Sequence, residues 1–231
     1  MSIREQLADI SRRIVRAAET AGVEPDSIHL VGASKMNDAS RVREAIGAGL
    51  KICGENRVQE MLEKNAQGAY EGAELHFIGH LQKNKVKNVV GLATLIHSVD
   101  SVALMEQIEK CAAKQGIVQD ILLEINIGRE EAKSGFFTEE LDEALQKAAG
   151  LPHIRVRGLM AVPPICANGE ENRPYFLEMH KLFIDNGRKK YDNVYMDFLS
   201  MGMSGDFETA IACGANMIRL GSVLFGARNY A

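Results

Sequence analysis

The chain lacks any close cysteine pair, any large excess of one charge and any apolar run near the roughly 20 residues that cross a bilayer. Cys53, Cys111, Cys166 and Cys213 are far apart and make no CxxC, which argues against a zinc site or redox motif and fits a reducing compartment. A formal charge of −4 gives no general attraction to nucleic acid or to an anionic membrane. Lys83, Lys85 and Lys87 form a local basic cluster, read most simply as a solvated helix face. No Pro/Gly-rich linker divides the chain, and no repeat stands out beyond an alternation of strand and helix patterns. What is present, 46% hydrophobic and 25% charged residues over 231 positions, is ordinary for a globular chain that buries a substantial core. The expectation is one domain over residues 1–231, cytoplasmic, without a membrane or nucleic-acid partner.

Ser2-Ile3-Arg4-Glu5 has capping-box spacing, and Leu7, Ile10, Ile14, Ala17 and Ala18 follow at helical intervals. This opening reads as an amphipathic helix rather than a signal peptide. Eight strand patterns come after it, at 28–34, 51–54, 75–79, 95–99, 120–127, 156–162, 197–202 and 217–223. Helical patterns lie between them, such as 101–115, where Leu104, Met105, Ile108 and Ala112 share a face, and 138–149 with Thr138 at its start. Gly116 and Gly150 are expected C-terminal stops. Eight βα units in a row predict an α/β fold, a single (β/α)8 TIM barrel with an extra N-terminal helix; a doubly wound open sheet gives the same alternation. The irregular stretch 163–174 is expected to lie over the barrel mouth.

In such a barrel the site gathers at the C-terminal strand ends, with phosphate often held by the loops after strands seven and eight. Lys35 ends the first apolar run, Ile28 to Ser34, and a lysine amine delivered by a buried strand can hold an aldehyde covalently. The plain alternative is a strand-end lysine that reaches solvent. Strand seven runs into Met203-Ser204-Gly205-Asp206, followed by a helix over 207–213 whose first N–H groups are expected to be open, and strand eight into Arg219-Leu220-Gly221-Ser222. Gly205 and Gly221 let main-chain amides approach an oxyanion, and Ser204 adds a hydroxyl. A pair of capped tight turns is the structural alternative. An amine and a phosphate cup in one mouth suit an aldehyde-bearing phosphate ester, and pyridoxal 5′-phosphate (PLP) meets both requirements. Strand alternation turns Arg219 inward, where a permanently charged guanidinium can donate to the pyridine nitrogen or form a salt bridge inside the barrel.

The stretches Ala33-Ser34-Lys35, Gly54 to Glu60 (GENRVQE), His76 to Lys85 (HFIGHLQKNK), Gly158-Leu159-Met160, Leu199 to Ser204 and Arg219 to Gly226 resemble the pyridoxal phosphate homeostasis proteins, single-domain relatives of the alanine racemase barrel. The resemblance covers nearly the whole chain. It implies PLP held as an aldimine on Lys35, phosphate contacts from Ser204, Gly221 and Ser222, and Arg219 as the partner of the pyridine nitrogen. Asn56, Ile78, Met160, Ser200 and Met203 would line the pocket. Met36-Asn37 departs from the Thr-Lys pair that the family usually carries after the lysine, a change confined to the rim.

Donation from arginine leaves the pyridine nitrogen unprotonated and weakens the ring as an electron sink, which favours holding the cofactor. Racemases of the related fold add a second base, a tyrosine from an additional domain of a dimer partner; here the eight βα units consume the sequence and only 227–231 follow Gly226. Tyr230 reads as a chain-end residue. The resulting expectation is a carrier in intracellular PLP homeostasis rather than an enzyme, monomeric, with PLP-dependent apoenzymes as recipients. A slow or narrow amino-acid racemase, and a cofactor-free aldolase using Lys35, are the rival readings. His76 and His80 have i, i+4 spacing, but Gly79 interrupts it and a metal pair is not expected, His80 being read as a rim or helix-start residue. Asn56 is either a helix N-cap or a cofactor contact. Lys133, in the polar loop 128–135, is either a solvated amine or an acceptor of PLP from Lys35 during release.

Overall fold

The computed structural model describes residues 1–226. The first helix, α1 (Ile3–Ala21), is fixed at its start by the capping box, with Ser2 Oγ accepting from Glu5 N and Glu5 Oε2 accepting from Ser2 N. Its apolar stripe Ile3, Leu7, Ile10, Ile14 and Ala18 is buried. Among the described residues eight parallel strands then alternate with helices: β1 (His29–Ala33), β2 (Ile52–Glu55), β3 (Glu74–Phe77), β4 (Leu95–Val99), β5 (Gln119–Ile125), β6 (Ile154–Ala161), β7 (Val194–Ser200) and β8 (Met217–Leu220). They pair in chain order, and β8 returns to β1 with Val31 opposite Arg219, so the sheet closes into a barrel. The expected (β/α)8 barrel with its extra N-terminal helix is the fold, and the open sheet is excluded.

Most strand residues are buried on both faces, as closure requires, although β7 keeps Tyr195 and Asp197 exposed. Val31, Ile52, Leu95, Leu122, Met160 and Met217 fill the barrel interior, while a larger apolar layer joins the strands to the surrounding helices. Each fully buried Val, Leu or Ile in these layers contributes about 1.5–3 kcal/mol relative to exposure. The helices are α2 (Ala39–Gly47), α3 (Val58–Ala66), α4 (Val102–Gln115), α5 (Leu141–Ala149), α6 (Arg173–Gly187), α7 (Phe207–Ala212) and α8 (Ser222–Phe225). α4 matches the expected pattern from its Ser101 cap, which accepts from Leu104 N, to Gly116, left-handed at φ 65. Gly158 has φ 143, and a Cβ there would sit 1.9 Å from Phe198 O, so glycine permits the register shift between β6 and β7.

Several boundaries differ from expectation, each for a local reason. The eighth strand stops at Leu220 rather than at 223, because the amides of Leu224 and Phe225 turn back onto Gly221 O and start α8. Thr138 opens a 3-10 turn, Thr138–Glu140, ahead of α5, with Phe137 N donating to Glu140 Oε2. Pro174 belongs to the first turn of α6, where its missing N–H costs nothing. Lys83, Lys85 and Lys87 are exposed as expected, on a 3-10 helix, Lys83–Asn88. No described helix is long and apolar enough to cross a membrane.

Candidate functional site

Lys35 follows β1 in the turn Ser34-Lys35-Met36 at the C-terminal mouth and is half-buried. The residues beside it are held from behind by a buried ionic cluster. Lys64 Nζ, on α3, donates to Ser34 O at 2.7 Å, to Glu55 Oε1 at 2.6 Å and to Glu60 Oε1 at 2.7 Å. Glu55 Oε1 also accepts from Ser34 Oγ and Tyr70 Oη, and Glu60 Oε1 accepts from Met36 N. Burial, reinforced by Glu55, pushes the Tyr70 hydroxyl up and the Cys53 thiol to about 12, so both stay neutral. Met36 is exposed and left-handed at φ 61, and Asn37 Nδ2 donates back to Lys35 O. The rim departure thus falls on a turn that Asn37 and the cluster together define.

Arg219 lies inside the barrel on β8, 5% exposed. Its Nη1 donates to Ser200 Oγ at 2.6 Å and its Nη2 to Ala161 O at 2.9 Å. Among the described residues no carboxylate lies within ion-pair distance of it, which removes the intrabarrel salt bridge as its role. Desolvation lowers its pKa to about 10, leaving a buried cation on neutral acceptors at neutral pH.

The turns after β7 and β8 meet beside β1. A Cβ on Gly221 would lie 3.5 Å from Ala33 O, and Val223 N points at Ser204 Oγ at 3.5 Å. Ser222 is exposed and Ser204 partly so, and a Cβ on Gly205 would meet open space. Of the expected open donors at the start of α7 the first is taken: the Phe207 amide donates to Met203 O, as does that of Asp206, and Asp206 Oδ1 takes Met203 N rather than capping the helix. The amide of Ser222, ahead of the first hydrogen bond of α8, supplies a freer donor, while that of Val223 is shared with Ser204 Oγ.

A cavity of about 270 Å³ opens at the same mouth, lined by Asn56, Ile78, His80, Glu124, Lys133 and Met160 among others. Asn56 is not a helix cap, because Arg57 holds that position in α3; its Oδ1 is buried with no hydrogen-bond partner. Met203 and Gly205 line a separate cavity of about 190 Å³ under the segment 164–169, so this pair stands at the outer rim. Ser200 is fully buried and reaches the site through Arg219. A cavity of about 620 Å³ under α1, at the opposite strand ends, contains none of these groups.

Other residues acquire places that sequence reasoning missed or left open. Glu124, on β5, faces the mouth cavity, and burial, with Asp100 nearby, raises its carboxyl to about 7 against the pull of Arg219 and Lys133. His97 is fully buried, between Ser200 Oγ and His76. Only inward phase on their strands hinted at either. His80 is an exposed rim residue paired with Asp100. Lys133 is held by Glu130 and by Pro163 O at 3.1 Å, on the cavity wall. Tyr230 lies outside the described residues. No group of three His, Cys, Asp or Glu side chains suited to a metal occurs among the described residues.

A closed parallel barrel with a lysine after its first strand, a buried arginine in its last and an amide-rich turn between them has the architecture of the alanine racemase N-terminal domain. The sequence matches that family, "Alanine racemase, N-terminal domain", over residues 6–229. A pyridoxal phosphate homeostasis protein of Aquifex aeolicus (strain VF5) is 45% identical over 230 residues, covering 100% of both chains. The structure of PipY from Synechococcus elongatus PCC7942 with PLP bound is 32% identical, with a TM-score of 0.83 over 97% of this chain and 100% of that one. An alanine racemase of Clostridium difficile 630, 15% identical with a TM-score of 0.72, shares the fold over 98% of this chain but only 57% of its own. The chain belongs to the pyridoxal phosphate homeostasis protein family.

Proposed function

We propose that this chain binds PLP at the barrel mouth and serves in PLP homeostasis as a carrier. When bound, PLP supplies an aldehyde carbon that an amine can hold covalently and a phosphate that must be neutralised. In this reading Lys35 provides the covalent anchor. Ser204, Gly205, Gly221 and Ser222 receive the phosphate through a hydroxyl and main-chain amides, and Arg219 donates to the ring nitrogen. Asn56, Ile78 and Met160 border the ring, Met203 stands at the outer rim, and Ser200 holds the guanidinium.

The observation that carries the proposal is the pair of unmet needs in this mouth. Arg219 is a buried cation with neutral acceptors, and Asn56 Oδ1 is a buried acceptor without a donor. Burial of such groups is costly unless a ligand completes them. A flat ligand with a ring-nitrogen acceptor and a hydroxyl donor does so. The bound PLP of the Synechococcus relative, which matches 97% of this chain, supports the same reading.

Arginine at the ring nitrogen favours retention over carbanion chemistry, which suits a carrier more than a racemase. One domain over 1–231, a monomer and a cytoplasmic place complete the proposal, with PLP-dependent apoenzymes as recipients. Titration with PLP, followed by absorbance, tests it: Ser204→Ala is expected to weaken affinity by about 1–3 kcal/mol, the value of a hydrogen bond to a charged group. Unchanged affinity would place the phosphate elsewhere.

A further inference from the structure

Barrel interiors of this type are filled mainly by branched apolar side chains. Here a line of polar groups crosses that interior beside the apolar side chains. Arg219 Nη1 donates to Ser200 Oγ at 2.6 Å; Ser200 Oγ lies 3.0 Å from His97 Nδ1; His97 Nε2 lies 3.0 Å from His76 Nδ1; and His76 Nε2 lies 3.3 Å from Glu74 Oε2. These groups come from β8, β7, β4 and β3. Arg219, Ser200, His97 and His76 are each at most 5% exposed. Glu74 opens β3, so it stands at the face opposite the mouth, with its side chain 63% exposed. There it shares a cavity of about 280 Å³ with Asp120 and Arg157.

Donor chemistry gives this line a direction. A guanidinium can only donate, so Ser200 Oγ accepts from Arg219 and has one proton left to give. His97 Nδ1 is the acceptor that lies 3.0 Å away. His97 then carries its proton on Nε2, which is aimed at His76 Nδ1, and His76 carries its own on Nε2, aimed at the Glu74 carboxylate. Both rings are neutral in this arrangement, in keeping with the burial that drives their pKa values down.

We propose that His97 and His76 are positioning residues: they form a one-way hydrogen-bond line that keeps the Ser200 proton turned away from Arg219, and so keeps the guanidinium donors aligned on the mouth. A Ser200 hydroxyl without that acceptor rotates, and Arg219 loses a fixed partner. The effect on PLP rests on the ligand reading above; the direction of the line does not.

Long-range ¹⁵N–¹H correlation spectra of the ligand-free protein read the tautomers directly. Both histidines are expected as neutral Nε2–H rings at neutral pH, and Ser200→Ala is expected to raise the Nδ1–H population of His97. A wild-type His97 protonated on Nδ1, or a tautomer indifferent to Ser200→Ala, overturns the line. In His97→Phe, which keeps the ring volume, PLP affinity is expected to fall about tenfold while competition by inorganic phosphate is unchanged. A folded His97→Phe with normal PLP affinity, or with PLP and phosphate weakened together, overturns the positioning role. If that variant does not fold, the wild-type and Ser200→Ala tautomers still decide. Wild-type protein that fails to bind PLP would defeat the ligand reading and leave the tautomer result standing.

Discussion

Among single residues, Glu124 sets the pH response of the mouth. Its carboxyl is raised from 4.5 to about 7, chiefly by desolvation and then by Asp100. The folded chain therefore keeps a proton between about pH 4.5 and 7 that the unfolded chain gives up. The stabilisation is fully present below 4.5 and is lost as pH rises through 7, a change of up to about 3 kcal/mol. Urea unfolding of Glu124→Gln should show it: the variant gains on the wild type by roughly that amount from pH 5 to pH 8. A constant difference would mean that Glu124 titrates normally. Lys35, Ser204, Gly221 and Arg219 were legible in the sequence because a strand end plus a residue type suffices to nominate them. Glu124 and His97 were not, since their meaning comes from what faces them across the barrel. Asn56 has two readings in the sequence, and Arg57 in the cap position of α3 leaves only the cofactor contact.

Among elements, α3 does more than cover the barrel. It carries Lys64, 4% exposed, whose amine ties β2 through Glu55 to the carbonyl ahead of Lys35. Lys64→Met leaves Glu55 buried without its cation, and removal of one partner of such a pair costs about 3–5 kcal/mol. Chemical denaturation measures this, and adding Glu55→Gln to Lys64→Met should restore part of the loss. If Lys64→Met alone is neutral, the cluster does not hold the turn. A lysine within an amphipathic pattern reads as exposed, so the sequence alone does not reveal this support. The end of β8 was hidden for a related reason. Val223-Leu224-Phe225 continues a strand-like run, yet the chain turns at Gly221 because Leu224 and Phe225 bury in the outer layer as a helix.

At the scale of the molecule, closure is the decisive step. Alternation of strand and helix patterns predicted eight βα units, but an open sheet would leave β1 and β8 at separate edges. The register of Val31 with Arg219 joins them and puts Gly221 beside Ala33 at the end of β1, just ahead of Lys35. Amine, buried cation and amide turn thereby share one mouth, although nearly the whole chain separates them in sequence. Borohydride reduction of protein incubated with PLP, followed by peptide mass spectrometry, tests that convergence directly. A pyridoxyl phosphate adduct on the Lys35 peptide, lost in Lys35→Ala, is the predicted result. An adduct confined to Lys133 or another lysine, or PLP retained with no adduct at all, would contradict it.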